Sequence, residues 1–216
     1  MNISEITNSS EIGSFSINQN FLKPKIYKKP KKEVLLQSNL ININYILSNH
    51  ELNKKNCHVY FFCVDDEVFK IGASQSSILD NMNYYVERAI TGGFSPTRFT
   101  CHMLIYGSLK NNKKVKVHAI TYESVNLNIK NLDSETSENI ELSAKNLEAI
   151  CIKQFLDKTG FYPEWNLQER GQEYPEKIYQ LMNQYREFRK NDNHSLTENN
   201  NELISHFRRC KDYNLV

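Results

Sequence analysis

Cys57-His58-Val59-Tyr60-Phe61-Phe62-Cys63-Val64-Asp65-Asp66-Glu67-Val68-Phe69-Lys70-Ile71-Gly72 is the stretch that decides the fold. Two runs rich in β-branched and aromatic residues flank an acidic break, the pattern of two strands folded on a short turn. Downstream, Ser74 or Ser76 is placed to cap a helix reaching about residue 90, with Gly92-Gly93 to end it. Residues 103–109 and 114–122 read as further strands, the second alternating Val115, Val117 and Ala119 against Lys116 and His118. A polar loop is expected over 126–141. Ser143 then opens a helix whose Leu147, Cys151 and Phe155, with Ile150 alongside, mark a buried face, and Gly160 stops it. Pro163-Glu164-Trp165-Asn166 reads as an ordered loop and residues 173–190 as a terminal helix; beyond 191 the chain is too polar to assign before Leu203.

Upstream the signals are fainter. Residues 1–22, rich in Asn, Ser and Ile, show no periodicity and are assigned no structure. Residues 23–32 carry Pro24 and Pro30 and should be extended. Over 34–47, Leu35, Leu36, Leu40, Ile43 and Leu47 fit a helical face, while the alternation Leu40-Ile41-Asn42-Ile43-Asn44 competes; helix is the expectation. The order of elements predicts an α+β fold, a small central mixed or antiparallel β-sheet flanked by helices, with helical N- and C-terminal extensions. The corresponding division is a basic arm and helical extension over 1–56, a core over 57–170 and a helical extension over 171–216.

A chain of 216 residues fits one domain with appendages or a small second domain. With 39% hydrophobic and 24% charged residues it can bury a core, which excludes wholesale disorder. The net charge of +2 argues neither for nor against a nucleic-acid partner, but its distribution says more. Lys23, Lys25, Lys28, Lys29, Lys31 and Lys32 have no acidic residue among them, and Lys110, Lys113, Lys114 and Lys116 form a second cluster. Such runs can neutralise phosphates or, for the first, form a solvated arm. Five scattered cysteines make no CxxC pair and suit a reducing compartment. His58 beside Cys57 and His102 beside Cys101 are weak metal-ligand candidates without zinc spacing. No signal peptide or membrane-length apolar run is present, so the expectation is a soluble, cytoplasmic protein.

Within the hairpin, Tyr60 and Lys70 fall on neighbouring strands. Cross-strand neighbours on one face can reach each other, and a cation beside a phenol favours the phenolate, a usable proton acceptor. The run Val59-Tyr60-Phe61, a step of ten residues from Tyr60 to Lys70-Ile71-Gly72-Ala73-Ser74, and then a helix, resembles the defining core of the GIY-YIG nuclease superfamily. With the second motif written Lys-Ile-Gly, the chain is most similar to the branch holding certain small type II restriction endonucleases. Residues 109–119, a basic turn followed by a strand, and Ser143-Ala144-Lys145-Asn146-Leu147-Glu148, with Pro163 beyond, look like that branch's later elements. The resemblance covers about residues 57–166, roughly half the chain.

The resemblance implies a metal-dependent phosphodiesterase acting on double-stranded DNA. Tyr60 would be the general base, Lys70 would lower its pKa or orient the attacking water, and Glu148 would bind one divalent ion, magnesium. Tyr85 stands where the family has a Tyr or His that contacts the phosphate or nucleophile. Asn166 matches a late family asparagine, and Trp165 reads as core or a DNA-backbone contact. One departure matters: the family's helix arginine falls at Asn81, which carries no charge. Arg88, seven residues on and three after Tyr85, lies on roughly the same helical face and could reach the phosphate instead. Cutting both strands of a symmetric site implies a homodimer. The alternatives are a homing, phage or repair-type nuclease of the same superfamily, and a catalytically weakened DNA-binding protein on this scaffold.

Overall fold

The computed structural model describes residues 1–19, 26–29, 32–35, 40–86, 95–122, 127–131, 134–138, 143–168 and 171, with 176 and 180. Its strands are β1 Ser10–Ile17, β2 Ile26–Lys29, β3 Lys32–Leu35, β4 Ile41–Tyr45, β5 Cys57–Val64, β6 Glu67–Ser74, β7 Val115–Tyr122, β8 Leu127–Asn131 and β9 Ser134–Glu138. The helices are α1 Asn49–Asn53, α2 Ile78–Val86, α3 Pro96–Lys110 and α4 Ala144–Thr159. The fold is α+β: a five-stranded sheet of order β4-β1-β7-β5-β6 flanked by helices, with β2–β3 and β8–β9 as separate two-stranded sheets. The chain divides into two compact units, one of residues 1–14, 45–82 and 116–170, the other of residues 15–44, 83–115 and 171–216.

In the first unit the β5–β6 hairpin forms as its sequence predicts. Asp65 and Asp66 take φ of 49° and 69°, left-handed values that a two-residue turn needs for its twist to match that of the strands. Asp pays little for that conformation. Residues 58–64 are all buried. On one face Val59, Phe61, Cys63, Val68 and Ile71 pack with Ile3 and with Phe155 of α4, and Leu147, Cys151 and Ile152 lie alongside. Helix α4 takes this position because Ser143 caps it, accepting from Asn146 N, and Gly160 ends it at φ 78°. The first residues are laced to the hairpin turn: Ile3 N donates to Asp66 O at 2.9 Å and Val68 N to Met1 O at 3.0 Å. Glu5 pairs with Lys158 of α4.

Strand β6 is the sheet's edge, and the 163–166 loop closes it. Trp165 N donates to Phe69 O at 2.7 Å. The Asn166 side chain then makes both hydrogen bonds that a neighbouring strand would make, accepting from Ile71 N and donating to Ile71 O, each at 2.9 Å.

Several elements depart from expectation. Residues 1–22 supply β1, whose Ile12 and Phe15 are buried beside a bulge between Glu11 and Gly13 that blurs the alternation. Over 34–47 the alternation wins over the helical face. Leu40 and Ile41 are buried, and pairing beside β1 (Asn18 N to Leu40 O, Ile46 N to Ile12 O) outweighs a weak helical stripe. Residues 103–109 are not a strand but the second half of α3. Pro96 in its first turn is the start signal, and burial of Phe99, Thr100, Cys101, His102, Met103 and Ile105 removes the one-sided stripe that would have betrayed it. The expected polar loop over 126–141 holds the β8–β9 hairpin, whose few apolar residues leave little period-2 signal. The cap of α2 is Ser77, whose Oγ accepts from Asp80 N at 3.1 Å, rather than Ser74 or Ser76. Within 173–190 only residues 176 and 180 are described, and Pro24 and Pro30 lie outside the described residues; β2 is extended as the proline-bearing run predicts, while Val34 and Leu35, expected helical, belong to β3. Cys57, Cys63, Cys101 and Cys151 are free thiols. Among the described residues no helix is long and apolar enough to cross a membrane.

Because Asn166 satisfies both polar groups of a buried peptide edge, Asn166→Ala should cost about 2–4 kcal/mol in denaturant unfolding, from two buried groups left unpaired. An unfolding free energy within ~0.5 kcal/mol of wild type would show that the loop does not hold the edge.

Candidate active site

The second face of the hairpin carries the residues of interest. In the β5–β6 register Tyr60 stands opposite Gly72, Phe62 opposite Lys70 and His58 opposite Ser74. Directly opposed residues share a face, so His58, Tyr60, Phe62, Lys70 and Gly72 line one side of the sheet. The Tyr60 ring centroid lies 5.4 Å from that of Phe62 and 6.3 Å from that of His58. A Cβ added to Gly72 would meet both Cζ and Oη of Tyr60 at 2.3 Å. The phenol end of the ring therefore fills the space that a Cβ on Gly72 would take, and only the missing side chain admits it. This carries the phenol from β5 over to β6, onto the face where Lys70 stands two residues before Gly72. Lys70 is 6% exposed and Tyr60 4%, so a cation-bearing side chain and a phenol share one largely dehydrated surface.

His58 and Asn81 belong to the same side. His58 Nδ1 lies 3.0 Å from Asn56 O, which can only accept, so Nδ1 carries the proton. Burial holds this imidazole below its ordinary pKa, the bond to Asn56 opposing it, so the ring is neutral and Nε2 accepts from Asn81 Nδ2 at 3.2 Å. The position where the resemblance places an arginine thus holds a 7% exposed amide, engaged with a neutral histidine.

Glu148 lies in the first half of α4, a helix that packs by Leu147, Cys151, Ile152 and Phe155 on the opposite face of the hairpin and chiefly over β6, the edge strand. Glu148 is half-buried; burial first and then its carboxylate push the Cys151 thiol up. Among the described residues no three His, Cys, Asp or Glu side chains group as a metal site. A lone carboxylate still fits magnesium, which keeps several waters and uses one or two carboxylates with substrate phosphates.

Tyr85 belongs to the second unit and is buried. Its carbonyl accepts from His102 Nδ1 at 2.7 Å, and burial pushes the His102 imidazole down to about 4 despite that bond. Arg88 lies outside the described residues. Sequence reading passed over Arg98, whose guanidinium stands 3.9 Å from the Tyr84 ring centroid. It read His58 only as a weak metal-ligand candidate beside Cys57, although its place two residues before Tyr60 on one strand puts the two on one face. Asn166, read as a site residue, binds the Ile71 backbone between Lys70 and Gly72. Trp165 is buried, its ring 5.3 Å from Phe69, a core contact.

No family model and no curated protein sequence matches the chain. Among solved structures it is similar to the restriction endonuclease HPY188I in complex with product DNA, at 19% identity over 76% of this chain and 84% of that one, with a TM-score of 0.37. It is likewise similar to a mutant of bacteriophage T4 EndoII, at 23% identity over 77% of this chain and 99% of that one, with a TM-score of 0.41.

Two outcomes follow from the buried histidines and from Gly72. Both His58 and His102 have folded-state pKa values below the 6.5 of the unfolded chain, so unfolding takes up protons below that pH. Stability present above pH 6.5 should fall as pH drops towards about 4, by about 3 kcal/mol from His102 alone, and His102→Gln should flatten the fall. A flat profile in wild type would place neither ring in a neutral, buried state. Gly72→Ala should fold, lose about 1–3 kcal/mol to overpacking, and shift the Tyr60 ring resonances more than those of any other tyrosine.

Proposed function

We propose that this chain is a DNA endonuclease of the GIY-YIG type that hydrolyses phosphodiester bonds with one magnesium ion, and that it acts as a sequence-specific, restriction-type enzyme. The observation that carries the reading is the Tyr60 phenol laid across Gly72, with Lys70 buried on the same face, in the order and spacing of the two family motifs.

In this mechanism Tyr60 takes the proton from the attacking water, and Lys70 orients that water or favours the phenolate. Gly72 keeps the phenol over β6, and the buried strand pair shields it from bulk water. Glu148 would hold the ion; when bound, the ion would neutralise charge on the scissile phosphate and the leaving oxygen. Asn81 supplies no charge, and its amide is occupied by His58. The cation that the family places there would have to come from elsewhere, with Arg88 the candidate. The substrate is double-stranded DNA, and a homodimer in the cytoplasm would cut both strands of a symmetric site.

The buried, neutral His58–Asn81 pair also favours a second reading, a DNA-binding protein on this scaffold with weakened catalysis. Incubation with plasmid and phage DNA plus magnesium separates the cases. Discrete fragments mark a restriction enzyme, a smear marks a looser homing, phage or repair-type nuclease, and binding without cutting marks the weakened scaffold.

Three variants test the roles. Tyr60→Phe removes one hydroxyl and should lower the single-turnover rate by about a hundredfold or more while folding normally; an unchanged rate moves the base elsewhere. Glu148→Ala should abolish magnesium-dependent cleavage and leave DNA binding largely intact, and full activity would remove Glu148 from the site. Asn81→Arg should slow cleavage and destabilise the fold, because a guanidinium would be forced into a buried slot facing a neutral ring. A sharp gain in rate would instead show that the arginine slot opens to substrate.

A further inference from the structure

Three lysines of the second cluster, Lys110, Lys113 and Lys116, fall into two sets. Lys116 is committed inwards: its Nζ lies 3.1 Å from Glu11 and 3.3 Å from Asp66, and the hydrogen bond to Glu11 is the first cause holding its pKa up. Lys110 is exposed and Lys113 half-buried, and neither makes an ion pair among the described residues. No acidic residue occurs anywhere between positions 96 and 122.

We propose that the turn between α3 and β7 is a phosphate-gripping tip, in which Lys110 and Lys113 contact the backbone of duplex DNA without regard to sequence; this rests on the DNA reading of the preceding section. The turn is held by its own backbone. Asn111 N donates to Gly107 O and Ser108 O, Asn112 N to Leu109 O and Lys113 N to Ser108 O, all at 3.1 Å, with Asn112 at φ 59°. The two ammonium groups are therefore carried on fixed Cα positions, which lowers the ordering cost of binding. The C-terminal dipole of α3 accounts for Lys110 at most, since that field fades within the last turn and Lys113 lies beyond it. Asn111 and Asn112, both exposed, add amide donors of the kind that phosphates accept from. None of the large exposed hydrophobics (Ile17, Ile46, Ile150, Phe161, Tyr162) is at this tip, so it lacks the apolar anchor of a membrane-inserting segment and the aromatic centre of a protein interface. Cations, amides and no apolar anchor fit a polyphosphate backbone.

The test is binding of the full chain to several unrelated duplexes without magnesium, as a function of potassium chloride. Lys110→Gln/Lys113→Gln should lower the slope of log affinity against log salt by about two, equally for every duplex, so a fourfold rise in salt weakens wild type roughly twelvefold more than the variant. Its thermal midpoint should match wild type. Lys116→Met should do the reverse, lowering the midpoint and leaving the slope alone. Wild-type binding with an unchanged slope in the double variant overturns the tip but not the DNA reading. Failure of wild type to bind any duplex overturns both. A double variant that loses binding to anionic vesicles but keeps its DNA slope also overturns the tip.

Discussion

The contact between the Tyr60 ring and the bare backbone of Gly72 is the constraint on which the candidate site depends. The strand pairing alone would leave a tyrosine side chain standing roughly perpendicular to the sheet, among its neighbours on β5. The missing Cβ lets the ring fold across to β6, where Oη lies over the strand that carries Lys70. Three things must hold for this to persist: the register that sets Tyr60 against Gly72, the turn that fixes the register, and an edge strand that does not drift. The positive φ at Asp65 and Asp66 provides the turn, and the Asn166 amide on Ile71 pins β6 at the residue between Lys70 and Gly72.

The second constraint is electrostatic. Every polar group of the His58–Asn81 pair is arranged for a neutral imidazole: one nitrogen donates to a carbonyl, the other accepts from an amide. Protonating His58 would set its Nε2–H against the Asn81 amide hydrogens, and desolvation already opposes the charge. A side of the sheet that holds a neutral histidine and an uncharged amide leaves Lys70 as the buried amine of the described hairpin face. On the reading proposed above, its ammonium form would act on the phenol through a less polar medium than water.

The hairpin, its turn, β7 and α4 were legible in the sequence because each shows its own punctuation: Asp-Asp between apolar runs, alternation at Val115 to Ala119, Ser143 and Gly160 at the two helix ends. What was not legible depended on partners distant in sequence. β1 and β4 are strands because they find each other and β7, and the bulge at Glu11 to Gly13 hides the alternation locally. α3 is buried from Phe99 to Ile105 on more than one side, so no helical stripe shows, and residues 103–109 read as a strand. That Tyr60 and Lys70 share a face of the hairpin was legible from spacing, whereas Asn166 read as the match to a late family asparagine. Its role is visible only when Ile71, 95 residues earlier in sequence, is seen between its oxygen and nitrogen.

On the reading proposed above, Glu148 would be the carboxylate that α4 contributes to the site, from a helix packed on the face of Val59, Phe61 and Ile71. A single carboxylate is a weak hold for a magnesium ion, which dehydrates reluctantly and prefers phosphate oxygens as further ligands. Metal and nucleic acid would then bind together, each completing the site for the other, and the chain alone would have little affinity for the ion. On that reading, sparse protein ligation and an edge strand pinned by Asn166 would be parts of one arrangement, the protein supplying a rigid strand pair and the substrate's backbone the remaining ligands.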